Sequence, residues 1–201
     1  LRLAGRHVAL TCLADIASLS GQATTSREML TASLEHAGIS VRERLWILTV
    51  LAEMAARTGD ASAAEKHFLD ARSLGHKNYY LLGAYADFLL DQGRPQEVIT
   101  LLQHETRADG LLLRLTLAEQ ALHLPASKNH TAELAARFAA GRERGTRVHV
   151  REEARFTLGL LHDSQTALTL AQTNWAIQKE PWDARLLLES ALAVGSWNAA
   201  R

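Results

Sequence analysis

A shift of 34 residues lays one stretch of this chain onto the next: Leu48 falls on Leu82, Leu51 on Tyr85, Ala52 on Ala86, Ala55 on Leu89, Gly59 on Gly93, Ala64 on Val98 and Phe68 on Leu102. Chemical character survives at each position, with large apolar residues on an inner face, small ones where helices cross, and glycine in the turn. A period of this length marks one supersecondary unit used again and again. A single two-helix unit has too little apolar face to fold alone, so stacked neighbours must supply the core.

The 201 residues are rich in Leu and Ala, with 5% aromatic residues and three prolines, which favours helix and excludes an all-β fold. Helical periodicity alternates with Gly, Pro and Asx punctuation. It predicts helices over Val8–Ser20, Ser26–Ala37, Leu45–Arg57, Ala61–Leu74, Tyr79–Gln92, Pro95 to about Thr106, Leu111–Leu124, Thr131 to about Arg144, Val150–His162, Gln165–Lys179 and Trp182–Val194. Asp60 and Asn78 are expected N-caps, and Gly21 and Gly38 expected helix stops. The segment 125–130 reads as a long link, the largest irregularity in the chain.

Lys plus Arg (22) equals Asp plus Glu (22), so no global field attracts nucleic acid, and none is expected as a partner. No stretch approaches the run of about 18 apolar residues that a spanning helix needs, so no membrane insertion is expected. Cys12, the single cysteine, reads as a small buried apolar residue. The chain opens at Leu1 and stops at Arg201 in the manner of a domain cut from a longer protein.

Enzyme signatures are lacking: there is no phosphate-binding glycine loop, HExxH pair, CxxC or nucleophile elbow. We therefore expect no catalysis, cofactor or metal. The histidines at 7, 36, 67, 76, 104, 123, 130, 149 and 162 never stand three or four residues apart, as a metal site on one helix requires. They read as surface or turn residues. Arginines at 137, 142, 144, 147, 151 and 155 are offset by Glu143, Glu152 and Glu153, and read as a solvated helix face.

The repeat resembles the tetratricopeptide repeat (TPR), a pair of antiparallel helices with small residues at its eighth, twentieth and twenty-seventh positions. Ala52, Ala64 and Ala71 occupy those positions in the clearest unit; Pro181 stands at the family's terminal proline position in a later one, and Leu158-Gly159 looks like its Leu-Gly pair. The resemblance implies an all-α, right-handed α/α superhelix, a TPR-like solenoid of about 4–5 helical hairpins. Its approximate repeats are 8–40, 45–78, 79–110, 111–145 and 150–181, with a partial one at 182–201, forming a single domain over 1–201. An unrelated α/α superhelix is the alternative reading of the same periodicity.

In the resembled family the first helix of each pair lines a concave groove. Its ninth position falls here on Asp15, Glu53, Asp87, Glu119 and Glu189, with Leu160 breaking the series. Flanking groove positions fall on Trp46, Arg57, Tyr80, Asp91, Leu115, His123, Trp182 and Arg185. A strip of carboxylates with aromatic and arginine anchors favours a basic or amide-rich extended peptide. The same acids also read as an ordinary solvated face, and Trp46, Tyr80 and Trp182 as packing between repeats; Trp175 and Trp197 read as packing. The functional expectation is a non-catalytic scaffold for a protein or peptide. The alternatives are a structural spacer in a larger bacterial-type envelope or secretion complex, or an accessory domain of a multidomain enzyme. Such modules work in the cytoplasm or periplasm, and this sequence selects neither. The final helix, expected to leave Leu186, Leu187 or Leu192 uncovered, suggests a homodimer through the C-terminal end.

Overall fold

The computed structural model describes residues 4–36, 38–145 and 150–196, with side chains described from His7 onward. Among these the protein is all helical, without a strand. The helices are α1 (Ala4–Ala17), α2 (Ala23–Ser33), α3 (Val41–Arg57), α4 (Ala61–Ser73), α5 (Tyr79–Asp91), α6 (Pro95–Leu102), α7 (Asp109–Ala121), α8 (Ala126–Glu143), α9 (Val150–Gly159), α10 (Ser164–Trp175) and α11 (Pro181–Ala193). Each of the eleven corresponds to one helix predicted from the periodicity. Contacts divide the chain into two compact units, 1–92 and 93–201, and the division falls in the turn after α5.

In the first unit α1 pairs with α2 and α3 with α4, while α1 packs on α3 and α3 on α5. Residues 18–22 stay coiled between α1 and α2, but Gly21 at φ +87° breaks the helical backbone as expected. Asp60 and Asn78 cap as expected, their carboxylate and amide oxygens accepting from the N–H of Ala63 (3.1 Å) and Leu81 (3.0 Å). α3 starts earlier than expected. Ser40 and Glu43 form a capping box, Ser40 Oγ accepting from Glu43 N–H (3.2 Å) and Glu43 from Ser40 N–H (2.9 Å). The hydrogen bond from the Ser40 hydroxyl, with that from its backbone, holds the Glu43 carboxyl below its ordinary range.

The core of this unit gathers Ala14, Leu30, Ile47, Val50, Leu51 and Met54, with Trp46 partly buried against it. Ala52, Ala64 and Ala71 are wholly buried, so the small positions of the clearest unit do sit inside. Phe68 on α4 packs against the rings of Tyr85 and Phe88 on α5, at centroid distances of 5.1 and 5.5 Å. Cys12 is exposed, contrary to expectation. It lies on a face of α1 that also exposes Val8, Leu13 and Ile16, and the apolar pattern cannot say which of its members turns inward.

In the second unit α6 and α8 both pack on α7, α7 on α9, α9 on α10, and α11 on both α9 and α10. Two boundaries differ from expectation. α6 stops at Leu102, and the chain beyond it is held by the Arg137 guanidinium of α8, which donates to the carbonyls of Thr106 and Arg107 at 3.0 and 3.3 Å. The expected link at 125–130 is helix almost from its start, since Pro125, at φ −60° and ψ −28°, already fits a first turn. The turns after α7 and α9 put His123 (φ +55°) and His162 (φ +57°) in the left-handed region, where the turn after α3 has Gly59 (φ +81°).

Leu186 and Leu187, expected to be partly uncovered, are buried at 3% and 8% exposure against Ala154, Leu168 and Ala171; Leu188 and Leu192 are exposed. Gly159 of the Leu-Gly pair is a point of close approach, with a Cβ there meeting the Leu117 side chain at 2.8 Å. The expectations for Ala37, Arg147, His149 and Trp197 and for both chain ends lie outside the described residues.

Candidate functional site

Packing of α1 on α3 and of α3 on α5 brings one carboxylate from each repeat into a common neighbourhood. These are Asp15, Glu53 and Asp87, spaced 38 and then 34 residues apart. Arg57, one helical turn beyond Glu53, donates from Nη2 to Asp15 Oδ1 (2.7 Å) and to Ser18 Oγ (3.0 Å). The Asp15 and Arg57 side chains remain 38% and 28% exposed, so their pairing contributes about 0.2–1 kcal/mol. Its larger effect is positional, because it ties α3 to α1.

Tyr80, in the first turn of α5, donates its phenolic proton to Glu53 Oε2 in a short hydrogen bond. Burial pushes the Glu53 carboxyl up to about 7, and the negative charges of Asp15 and Asp87 push the same way; the Tyr80 hydrogen bond and the Arg57 charge oppose them. Glu53 thus holds its proton more tightly than an ordinary carboxyl. Asp87 is 3% exposed, an inward-facing carboxylate rather than a surface one. Asp91, one turn further along α5, is exposed. Of the aromatic residues at groove positions in this unit, Tyr80 joins the acidic cluster and Trp46 joins the core.

The other acidic positions belong to the second unit. Glu119 on α7 is 5% exposed and accepts from His130 Nδ1 on α8 at 2.8 Å. Glu189 on α11 is exposed and pairs with Arg185 Nε at 2.7 Å. The Arg185 and Arg155 guanidiniums lie over the Trp182 ring at 4.5 and 4.6 Å from its centroid, a stacked arrangement favourable to arginine. Leu115 and Leu160 are core residues, and His123 is an exposed turn residue.

Sequence reasoning missed a network at the start of α11, buried at Asn174 and Asp183 and open to water at Glu180. Asn174 donates to Asp183 Oδ1 (2.7 Å), Asp183 Oδ2 accepts from the N–H of Glu180 (2.9 Å), and Arg151 pairs with Glu180 at 2.7 Å and Asp183 at 3.4 Å. The signal was present, since an acid two residues after Pro181 can close a capping box. The arginine-rich segment is largely tied down: Arg137 pairs with Asp109 (2.8 Å) and Glu133, and Arg142 pairs with Glu153.

A shallow cleft of about 500 Å3, lined by Thr24, Arg27, Thr31, Glu35, Leu51 and His67, shares no side chain with the acidic cluster. Among the described residues no group of three or more His, Cys, Asp or Glu side chains is placed to hold a metal ion. No described helix is long and apolar enough to cross a membrane. Comparison with known proteins returns no match to a family model, a curated protein or a solved structure.

Proposed function

We propose that this chain is a non-catalytic scaffold, a right-handed TPR-like solenoid, that holds a basic, extended segment of another protein against the face formed by α1, α3 and α5. One observation carries the reading: Asp15 and Glu53, from equivalent places in successive repeats, are joined to Arg57 and Tyr80 on neighbouring helices, with the charge of the inward-facing Asp87 acting on Glu53. Carboxylates at repeat spacing match a ligand whose cations recur along an extended backbone, and stacked helices hold them in register at little entropic cost. Only part of the expected strip supports the reading, since Asp87 faces inward and Glu119 is buried against His130.

Fluorescence anisotropy with a labelled Lys/Arg-rich peptide and a Glu-rich peptide of equal length tests the proposal. The basic peptide should bind, weaken as salt rises, and lose affinity with Asp15→Asn and Glu53→Gln. Equal binding of both peptides, or a basic peptide indifferent to both substitutions, overturns it.

A second reading, an assembly segment that pairs with its own copy through the C-terminal end, is favoured by exposed Leu188 and Leu192 on α11. Sedimentation velocity tests it: a dimer that Leu188→Glu with Leu192→Glu converts to monomer supports self-pairing, and a monomeric wild type removes it.

A further inference from the structure

His7 on α1 and His36, just past the end of α2, are distant in sequence and meet in the fold, their ring centroids 6.1 Å apart. The ring planes are inclined at 67°, so the rings are not stacked on one another. His36 is exposed, and its Nδ1 meets the Ala32 carbonyl at 3.1 Å. A carbonyl only accepts, so this nitrogen carries the proton, and Nε2 of the neutral ring keeps its lone pair. A backbone carbonyl on one ring nitrogen is a common means of presenting the other to a metal ion.

His7 is half-buried, and its Nδ1 is closed off from water without a hydrogen-bond partner. Glu43, in the first turn of α3, has Oε2 held by Ser40, while its Oε1 is likewise closed off and unpartnered. His7 and Glu43 are near enough for the charge of one to act on the other. Buried polar atoms are normally paired, so two orphans in one neighbourhood, beside a second imidazole with a lone pair to give, call for a partner from outside the chain.

We propose that His7 and His36 form a two-imidazole site for a zinc-class divalent ion, with Nδ1 of His7 and Nε2 of His36 as ligands, water completing the coordination, and the negative charge of Glu43 favouring the cation. Two imidazoles on one tetrahedral ion place their centroids about 5 Å apart, given metal–nitrogen bonds of about 2.0–2.1 Å. The observed separation is wider by about 1 Å, a gap that turning the exposed His36 ring closes. Imidazole nitrogen suits zinc, copper and nickel, whereas magnesium and calcium take oxygen ligands. The pair joins two different helices, so histidine spacing within one helix does not reveal it. An ion held by both rings ties α1 to the end of α2 and closes the first hairpin, and it stabilises the folded chain by mass action. This site goes beyond the scaffold reading and does not depend on it.

The test titrates zinc chloride into the full chain carrying Cys12→Ser, which removes the exposed thiol as a competing ligand, with magnesium chloride as the control. Calorimetry reads the affinity, and nitrogen-15 spectra of the imidazoles identify the rings that bind. Expected are one zinc per chain, shifts at His7 and His36, a Tm that rises with zinc and returns with EDTA, and no response to magnesium. His7→Asn and His36→Asn should each lower the affinity by about tenfold or more. Glu43→Gln, which can still close the cap, should lower it by less than either. If a histidine variant fails to fold, the imidazole spectra of the Cys12→Ser chain decide the matter alone. Zinc binding that both histidine variants leave unchanged, or that shifts other histidines and not these two, marks an adventitious ion only and overturns the site. A chain that shows neither heat nor imidazole shifts with zinc overturns it as well.

Discussion

His130, in the second turn of α8, donates from Nδ1 to the buried carboxylate of Glu119 on α7, 2.8 Å away. This bond fixes where α8 begins against α7 and takes Glu119 out of the row of acids available to a partner. Removing the imidazole while leaving the carboxylate buried is the costly change. His130→Ala should lower unfolding free energy by about 1–3 kcal/mol in urea titration. Adding Glu119→Leu should recover part of that loss, because no buried charge is then left unpaired. A double variant less stable than His130→Ala alone would show that Glu119 has another essential role.

The contribution of Glu53 to stability should fall as pH rises past about 5. The Glu53 carboxyl titrates near 7 in the folded chain against an ordinary 4.5, so the folded state binds the proton more tightly. Both forms are protonated below 4.5, where the penalty is absent; it grows through the window from 4.5 to 7 and is constant above, reaching at most about 3 kcal/mol before solvent screening reduces it. Thermal melts of wild type and Glu53→Gln at pH 5 and pH 8 should show the variant losing less stability between the two. Equal losses would remove Glu53 as the cause.

His123 and His162 hold left-handed backbone positions that suit glycine. His123→Gly should raise stability by about 0.4–1 kcal/mol, seen as a higher Tm by circular dichroism. His162→Gly should gain less, because the His162 ring also meets Gln120 Nε2 of α7 at 3.0 Å. An order of effects opposite to this would show that the Gln120 contact contributes nothing.

Arg137 holds the chain between α6 and α7 through the carbonyls of Thr106 and Arg107 and the carboxylate of Asp109. Arg137→Ala should cost about 1–3 kcal/mol and speed hydrogen exchange across residues 103–108. Arg137→Lys should restore little, since an ammonium cannot span three acceptors as the guanidinium fork does. Full rescue by lysine would reduce the role to charge alone.

What could be read in the sequence was local and periodic. Asp60 and Asn78 were recognisable as caps because a cap acts within three residues, and Ala52, Ala64 and Ala71 because a close crossing requires a small residue at a fixed place in the period. What escaped was set by partners distant in the chain. The chain after α6 is held by Arg137, some thirty residues later, and Glu119 is paired by His130 on the next helix. The acidic positions on α1, α3 and α5 were found from the repeat, yet the repeat alone made them equal. Packing distinguishes them: Asp15 faces water and Arg57, Asp87 faces inward, and Glu53 between them carries the shifted proton. The Ser40–Glu43 box also acts within three residues and starts α3 ahead of the apolar run at Leu45.

The exposed thiol of Cys12 follows from the way α1 turns its apolar residues. As the single cysteine of the chain, one helical turn before Asp15, it accepts a maleimide fluorophore at one-to-one stoichiometry without any engineering. The natural sequence thus brings its own reporter to the edge of the acidic face, and the same thiol obliges anyone purifying the protein to keep a reductant in the buffer.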